Sequence, residues 1–190
     1  ALGFLSVHNM DKLSFRLIKE DIAENPFGTI VGKTSFFRAV SEFENIKFAE
    51  ESDIEKAITS CSDVGNNDGL TIIISDFFTE SEWKKAVDYL CYKKRQVLLV
   101  QVLSPDELDP AYDGRVNLLD AEAGDISDPK NMKMKITRSM RLAYDEAMRD
   151  FIGDIKSFCN SRGANFITVS SDQPIEKALF GELLKVGIME

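Results

Sequence analysis

Two short, largely apolar runs constrain this chain more than anything else in it. Leu70-Thr71-Ile72-Ile73-Ile74-Ser75-Asp76 and the stretch from Gln96 to Leu103 are apolar or β-branched almost throughout. Each is too short for a free-standing helix and reads as a strand buried on both faces. Between them, Trp83, Ala86, Val87, Leu90 and Cys91 recur at helical spacing, behind Thr79 or Ser81 as a cap. Strand, helix and strand in this order form a βαβ unit, whose strands must be parallel. A second helical stripe follows: Tyr144, Met148, Phe151, Ile152, Ile155, Phe158 and Cys159, closed by Arg162-Gly163. Asn165 to Val169 supplies another strand, and Pro174 opens a last helix with Ile175, Ala178 and Leu179 facing inward. Right-handed crossovers then predict a three-layer α/β/α sandwich with a mostly parallel sheet.

The stretch from Ser104 to Lys135 breaks the alternation. It reads as an inserted β-hairpin around 104–136, with Arg115–Leu119 and Met132–Ile136 as arms. Upstream, Lys12 to Lys19 alternates Leu13, Phe15 and Leu17 with polar neighbours and reads as a strand, and Ser35 to Glu42 as a helix. A chain of 190 residues suits one domain, and residues 1–190 are read as one.

Composition removes whole classes of function. Acids exceed bases to give a net charge of −9, which argues against a nucleic-acid backbone or an anionic membrane as the main partner. Cys61, Cys91 and Cys159 are odd in number and form no CxxC pair. They read as reduced thiols in a cytoplasmic protein, and with His8 the only histidine a structural zinc site is not expected. No apolar run approaches the roughly 20 residues of a membrane span. Ala1 to Val7 lacks a basic leader and an initiator Met, and the chain is expected to be cut from a longer protein.

Gly28-Thr29-Ile30-Val31-Gly32-Lys33-Thr34 imitates a phosphate loop. That loop needs four residues between its glycines and a buried strand leading in. Here three residues separate them, and Ala23-Glu24-Asn25-Pro26 leads in, so the segment reads as a turn before a helix. Asp106, Glu107, Asp109, Asp113, Asp120, Glu122, Asp125 and Asp128 form an acidic stretch, followed by Lys130, Lys133, Lys135, Arg138 and Arg141. Such neighbours favour self-pairing or docking to a charged protein, with Asp106, Glu107, Asp120 and Glu122 as interaction residues. Asp76 stands apart, because α/β sheets place their sites at the carboxyl ends of buried strands.

Several of these pieces together resemble a known family. Ile74-Ser75-Asp76-Phe77 with Trp83, then Pro105-Asp106-Glu107-Leu108 and Leu119-Asp120-Ala121-Glu122-Ala123-Gly124, resemble the bacterial domain of unknown function 58 family. Ser104 and Ala123 depart from its pattern, where Asp and Thr are usual. The resemblance implies a von Willebrand factor A-like fold and a metal-ion-dependent adhesion site, in which Asp76 matches the late Asp and Ser52 lies where the Thr would be. The DxSxS loop is missing, so the site is partial, and Mg²⁺ is expected only in a longer form that carries the loop. The resemblance further implies a non-enzymatic interaction or assembly role beside a MoxR-type AAA+ ATPase. The alternative is a metal-dependent hydrolase using Asp76, Asp120 and Glu122. In such a fold the central strand would precede Ala1. Lys12–Lys19 is then expected to pair with Leu70–Asp76 directly, or another segment or a second chain to fill the gap, the last making a homo-oligomer.

Overall fold

The computed structural model describes residues 2–46, 52–61, 64, 69–110, 114–118, 132–178 and 181. The chain forms two compact units, Ala1–Gly65 with Thr79–Ala86, and Asn66–Phe78 with Val87–Glu190.

In the first unit, α1 (Leu2–His8) and α2 (Gly32–Glu42) pack together. Val7, Ile30, Phe36 and Ala39 are buried between them, with Phe4, Leu13, Phe15 and Phe27 around the edge. The segment from Lys12 to Lys19 departs from the expected full strand. Leu13 makes an isolated antiparallel bridge to Ile30, and only Leu17–Lys19 forms a strand, β1. Its partner is β2 (Ile22–Glu24), antiparallel, with Lys19 opposite Ile22. The expected pairing with Leu70–Asp76 is therefore not found. The reason is local. Glu20, at φ 52°, and Asp21 make a two-residue turn that brings β2 back at little loop-closure cost, and Lys19 Nζ grips Glu24 at 2.7 Å. Gly28 and Gly32 both have positive φ, and Ile30 between them is buried. Lys33 lies over the Phe4 ring, 5.7 Å from its centroid. The glycine-rich segment is thus the turn its spacing predicts. A short 3₁₀ turn (Phe43–Asn45) follows, and then α3 (Ile54–Thr59).

The second unit is built on a parallel sheet of order β3-β4-β7, from β3 (Leu70–Ser75), β4 (Gln96–Leu103) and β7 (Asn165–Ser170). Leu70 lies beside Gln96, and Leu98 beside Asn165. Burial explains the central place of β4, since Val97, Leu98, Leu99, Gln101 and Leu103 are all at most 2% exposed. The sheet advances in one direction, so right-handed crossovers put α4 (Trp83–Tyr92) and α6 (Arg138–Arg162) on one face. Arg162 joins the two helices: its Nε donates to Asp88 at 2.5 Å, and its carbonyl accepts from Cys91 Sγ at 3.8 Å. The expected α/β architecture, a parallel sheet flanked by helices, is the one observed.

The inserted hairpin is present as β5 (Gly114–Leu118) and β6 (Met132–Ile136), paired antiparallel with Gly114 opposite Ile136. The helix expected near Tyr144 begins earlier, at Arg138, because Thr137 caps it by accepting from Met140 N. At its far end Gly163 adopts φ 67°, the left-handed closure its position predicts. The short α7 (Ile175–Lys177) follows Pro174, but Ile175 does not face inward; it is 61% exposed. One turn cannot bury a face without a neighbour, and Leu179 lies outside the described residues.

Candidate functional site

The carboxyl ends of the three parallel strands share a local chemistry. At the end of each, or just past it, stands a serine followed within two residues by an aspartate: Ser75-Asp76, Ser104-Pro105-Asp106 and Ser170-Ser171-Asp172. Parallel strands end on the same edge of the sheet, so these groups are collected there by topology.

The turn after β3 is held by its own side chains. Ser75 Oγ accepts from Phe77 N at 3.0 Å, and Asp76 Oδ1 accepts from Phe78 N at 3.0 Å. Between these two bonds Phe77 adopts φ 62° with its ring 1% exposed. A buried aromatic residue in the left-handed region is costly, and the surrounding structure must impose it. Part of that imposition comes from β4. Gln101, fully buried, donates from Nε2 to the Asp76 carbonyl at 3.0 Å and accepts from Thr168 Oγ1 at 3.1 Å. A polar link thus crosses all three strands and ends on the backbone of Asp76. The Asp76 carboxylate itself is exposed, as is Phe78, whose ring stacks on Phe151 with centroids 5.3 Å apart.

After β4, the short helix α5 (Pro105–Leu108) starts with a capping box. Ser104 Oγ accepts from Glu107 N at 3.2 Å, and the Glu107 carboxylate accepts from Ser104 N at 2.6 Å. Tyr144 Oη donates to the Glu107 carbonyl at 2.7 Å. Burial, then the nearby Glu107 charge, pushes the Tyr144 phenol up. Asp106 is exposed on the same helix. After β7, Ser170 Oγ hydrogen-bonds Asp172.

Of the residues singled out in the sequence, Asp76, Asp106 and Glu107 therefore share the second unit, at the carboxyl ends of β3 and β4. Asp120 and Glu122 lie outside the described residues. Ser52 belongs to the first unit, where it makes a parallel bridge to Glu20 and precedes Asp53, the cap of α3. Among the described residues no three His, Cys, Asp or Glu side chains gather as a metal-binding group. The Gln101–Thr168 link was not anticipated. Its signal was in the sequence, since Gln101 is the one polar residue inside the run from Val97 to Leu103.

Among the described residues, no helix is long and apolar enough to cross a membrane. No curated protein matches the chain. Two solved structures are similar to it. One is described as a conserved hypothetical protein BatB from Bacteroides thetaiotaomicron, 14% identical, with a TM-score of 0.49 over 98% of this chain and 84% of that one. The other is an aerotolerance-related membrane protein from Bacteroides fragilis NCTC 9343 with multiple mutations to serines, 14% identical, with a TM-score of 0.46 over 94% of this chain and 83% of that one. The family described as Protein of unknown function DUF58 matches residues 1–151, including the strand, turn and helix that carry Asp76, and the chain belongs to that family.

Proposed function

We propose that this chain is a non-enzymatic interaction or assembly module of von Willebrand factor A type, docking a protein partner at the carboxyl end of its parallel sheet. The partner we propose is a MoxR-type AAA+ ATPase, as the family resemblance implies. The observation that carries the reading is the turn after β3. An exposed carboxylate, Asp76, and a half-exposed aromatic ring, Phe78, are presented on a backbone fixed by three hydrogen bonds. A preset charge beside a preset apolar ring suits protein recognition, because little ordering entropy is lost on docking. Asp76 offers a single carboxylate to a hard cation, which takes about six to eight oxygens, and the reading relies on no metal.

The test is calorimetry of the chain against a purified MoxR-type ATPase, with and without nucleotide. Binding is expected to weaken roughly tenfold or more in Asp76→Asn and in Phe78→Ala. Asp76→Asn keeps the acceptor that the turn needs while removing the charge. Absence of binding, or binding indifferent to both substitutions, overturns the proposal.

A further inference from the structure

We propose that the amino-terminal edge of the parallel sheet, where Tyr92, Lys93, Lys94 and Arg95 stand, is a docking surface for an anionic phospholipid bilayer. The proposal does not rest on the ATPase reading, and it is measured without that partner.

The placement follows from the topology. α4 ends at Tyr92 and β4 starts at Gln96, whose N donates to the Gly69 carbonyl at 3.0 Å, at the start of β3. α6 ends at Arg162, just before β7, at the same edge. The turn from α4 to β4 therefore carries Lys93-Lys94-Arg95 out to that edge, three cations in a row in a chain of net charge −9. Lys19, Lys56, Lys85 and Arg162 each hold a carboxylate. Lys93 instead lies over the Tyr89 ring, 5.5 Å from its centroid. Arg95 donates from Nε to Thr71 Oγ1 at 2.9 Å and from a terminal nitrogen to the Leu70 carbonyl at 3.0 Å. These partners are neutral and leave both charges in place. Lys94 is exposed and takes φ 59°. A side chain is strained in that region where glycine is not, and strained positions cluster at binding and switch segments.

Composition selects a lipid surface. Tyr92, next to the cations, is 82% exposed. An exposed amphipathic ring among lysines is what a membrane–water interface favours: the ring sits at headgroup level and the ammonium groups reach the phosphates. The cations stand on a helix end and the turn after it, so they meet a flat surface rather than enclose a chain. The negative net charge does not forbid this, because it lies elsewhere. Exposed Asp76 and Asp106 are at the opposite edge of the sheet. Between the two edges β4 runs eight residues, roughly 26 Å at the usual rise of a strand. The screening length at physiological ionic strength is about 8 Å. The acidic edge is therefore too far away to cancel the basic one, and an anionic surface meets the second unit basic edge first.

Flotation of the purified chain with lipid vesicles tests the proposal. Vesicles of phosphatidylglycerol and phosphatidylcholine in equal parts are expected to carry the chain at low salt and release it at high salt. Vesicles of phosphatidylcholine alone are expected to leave it behind. Lys94→Gly removes one charge and the backbone strain together. It is expected to weaken binding about fivefold while raising the melting midpoint, so the loss cannot come from misfolding. Adding Lys93→Gln should weaken binding about fivefold again. Tyr92→Ser should weaken it too, and Tyr92→Trp should retain it. No binding to the anionic vesicles at low salt overturns the proposal. So does equal binding to neutral vesicles, or binding indifferent to Lys94→Gly and Lys93→Gln. Polyglutamate that binds the chain through these two lysines, where the vesicles do not, overturns it in favour of an acidic protein at this edge.

Discussion

The buried amide of Gln101 holds the backbone carbonyl of Asp76 at 3.0 Å, tying an exposed functional candidate to the most enclosed strand of the sheet. Gln101→Ala is expected to destabilise the second unit by about 2–4 kcal/mol, through a cavity and two orphaned polar groups. Gln101→Leu should cost less, and Thr168→Val should recover part of that loss by removing the stranded hydroxyl. A double-mutant cycle in denaturant measures the coupling; strictly additive effects would show that the Thr168 bond contributes nothing.

Two helices close on the same backbone device with opposite residue choices. At the end of α4, Lys94 takes φ 59°, with Arg95 N donating to the Leu90 carbonyl at 3.0 Å. At the end of α6, Gly163 takes φ 67°, with Ala164 N donating to the Cys159 carbonyl at 2.9 Å. A side chain is strained in that conformation and glycine is not. Lys94→Gly should therefore stabilise by about 1 kcal/mol, and Gly163→Ala should destabilise by a similar amount. Thermal midpoints moving in the same direction would contradict this.

Asp53 caps α3 by accepting from Lys56 N at 3.0 Å, and its other oxygen meets Lys56 Nζ at 2.8 Å. The Lys56 hydrogen bonds hold the Asp53 carboxyl below its ordinary value of 3.8. The unfolded state thus binds its proton first as the solution is acidified. The stabilisation is present above pH of about 4 and is lost as pH falls through the lowered value. Asp53→Ala is expected to cost about 1 kcal/mol at neutral pH, and the difference from the parent should vanish in strong acid. A constant difference across that range would refute the charge as its origin.

Burial pushes the Cys159 thiol from its ordinary value of 9.0 up to about 11, with Cys91 adding to the shift. The unfolded state loses this proton first as pH rises, so stability should decline between about pH 9 and 11. Cys159→Ala should flatten that decline. In the native state at pH 8, Cys159 should resist iodoacetamide, since it is fully buried. Peptide mapping that finds it alkylated before unfolding would count against the packing described.

Millimolar Mg²⁺ or Mn²⁺ is expected to change stability very little. A site of millimolar affinity at equal metal concentration contributes only about 0.4 kcal/mol. A rise of many degrees in the melting midpoint, removed by Asp76→Ala, would restore a metal to the functional reading.

Much of the second unit was legible because its signals are dense and local. The runs at Leu70 and Val97 could be only buried strands, the stripe from Tyr144 to Cys159 has one helical face, and Gly163 marked the end of that helix. The partners of Lys12–Lys19 were not legible. Alternation identifies a strand without saying what it pairs with, and a two-residue turn at Glu20-Asp21 decided the matter locally. Asp76 was found from its place after a buried strand. Its support was missed because Gln101 and Thr168 are far from it in sequence and meet only across the sheet.

The bond from Tyr144 to the Glu107 carbonyl has a consequence for how this chain can tolerate change. It fastens the start of α6 to α5, so the chain leaves β4 and returns to α6 through two points already pinned together. To the sheet, everything between Asp109 and Thr137 is a closed excursion. The entropy of closing such a loop grows only with the logarithm of its length, about 0.6 kcal/mol for each doubling. The hairpin can therefore be enlarged, shortened or redecorated at little entropic cost while β4, Gln101 and the turn at Asp76 stay as they are. The insertion is where this architecture can acquire new specificity without rebuilding its core.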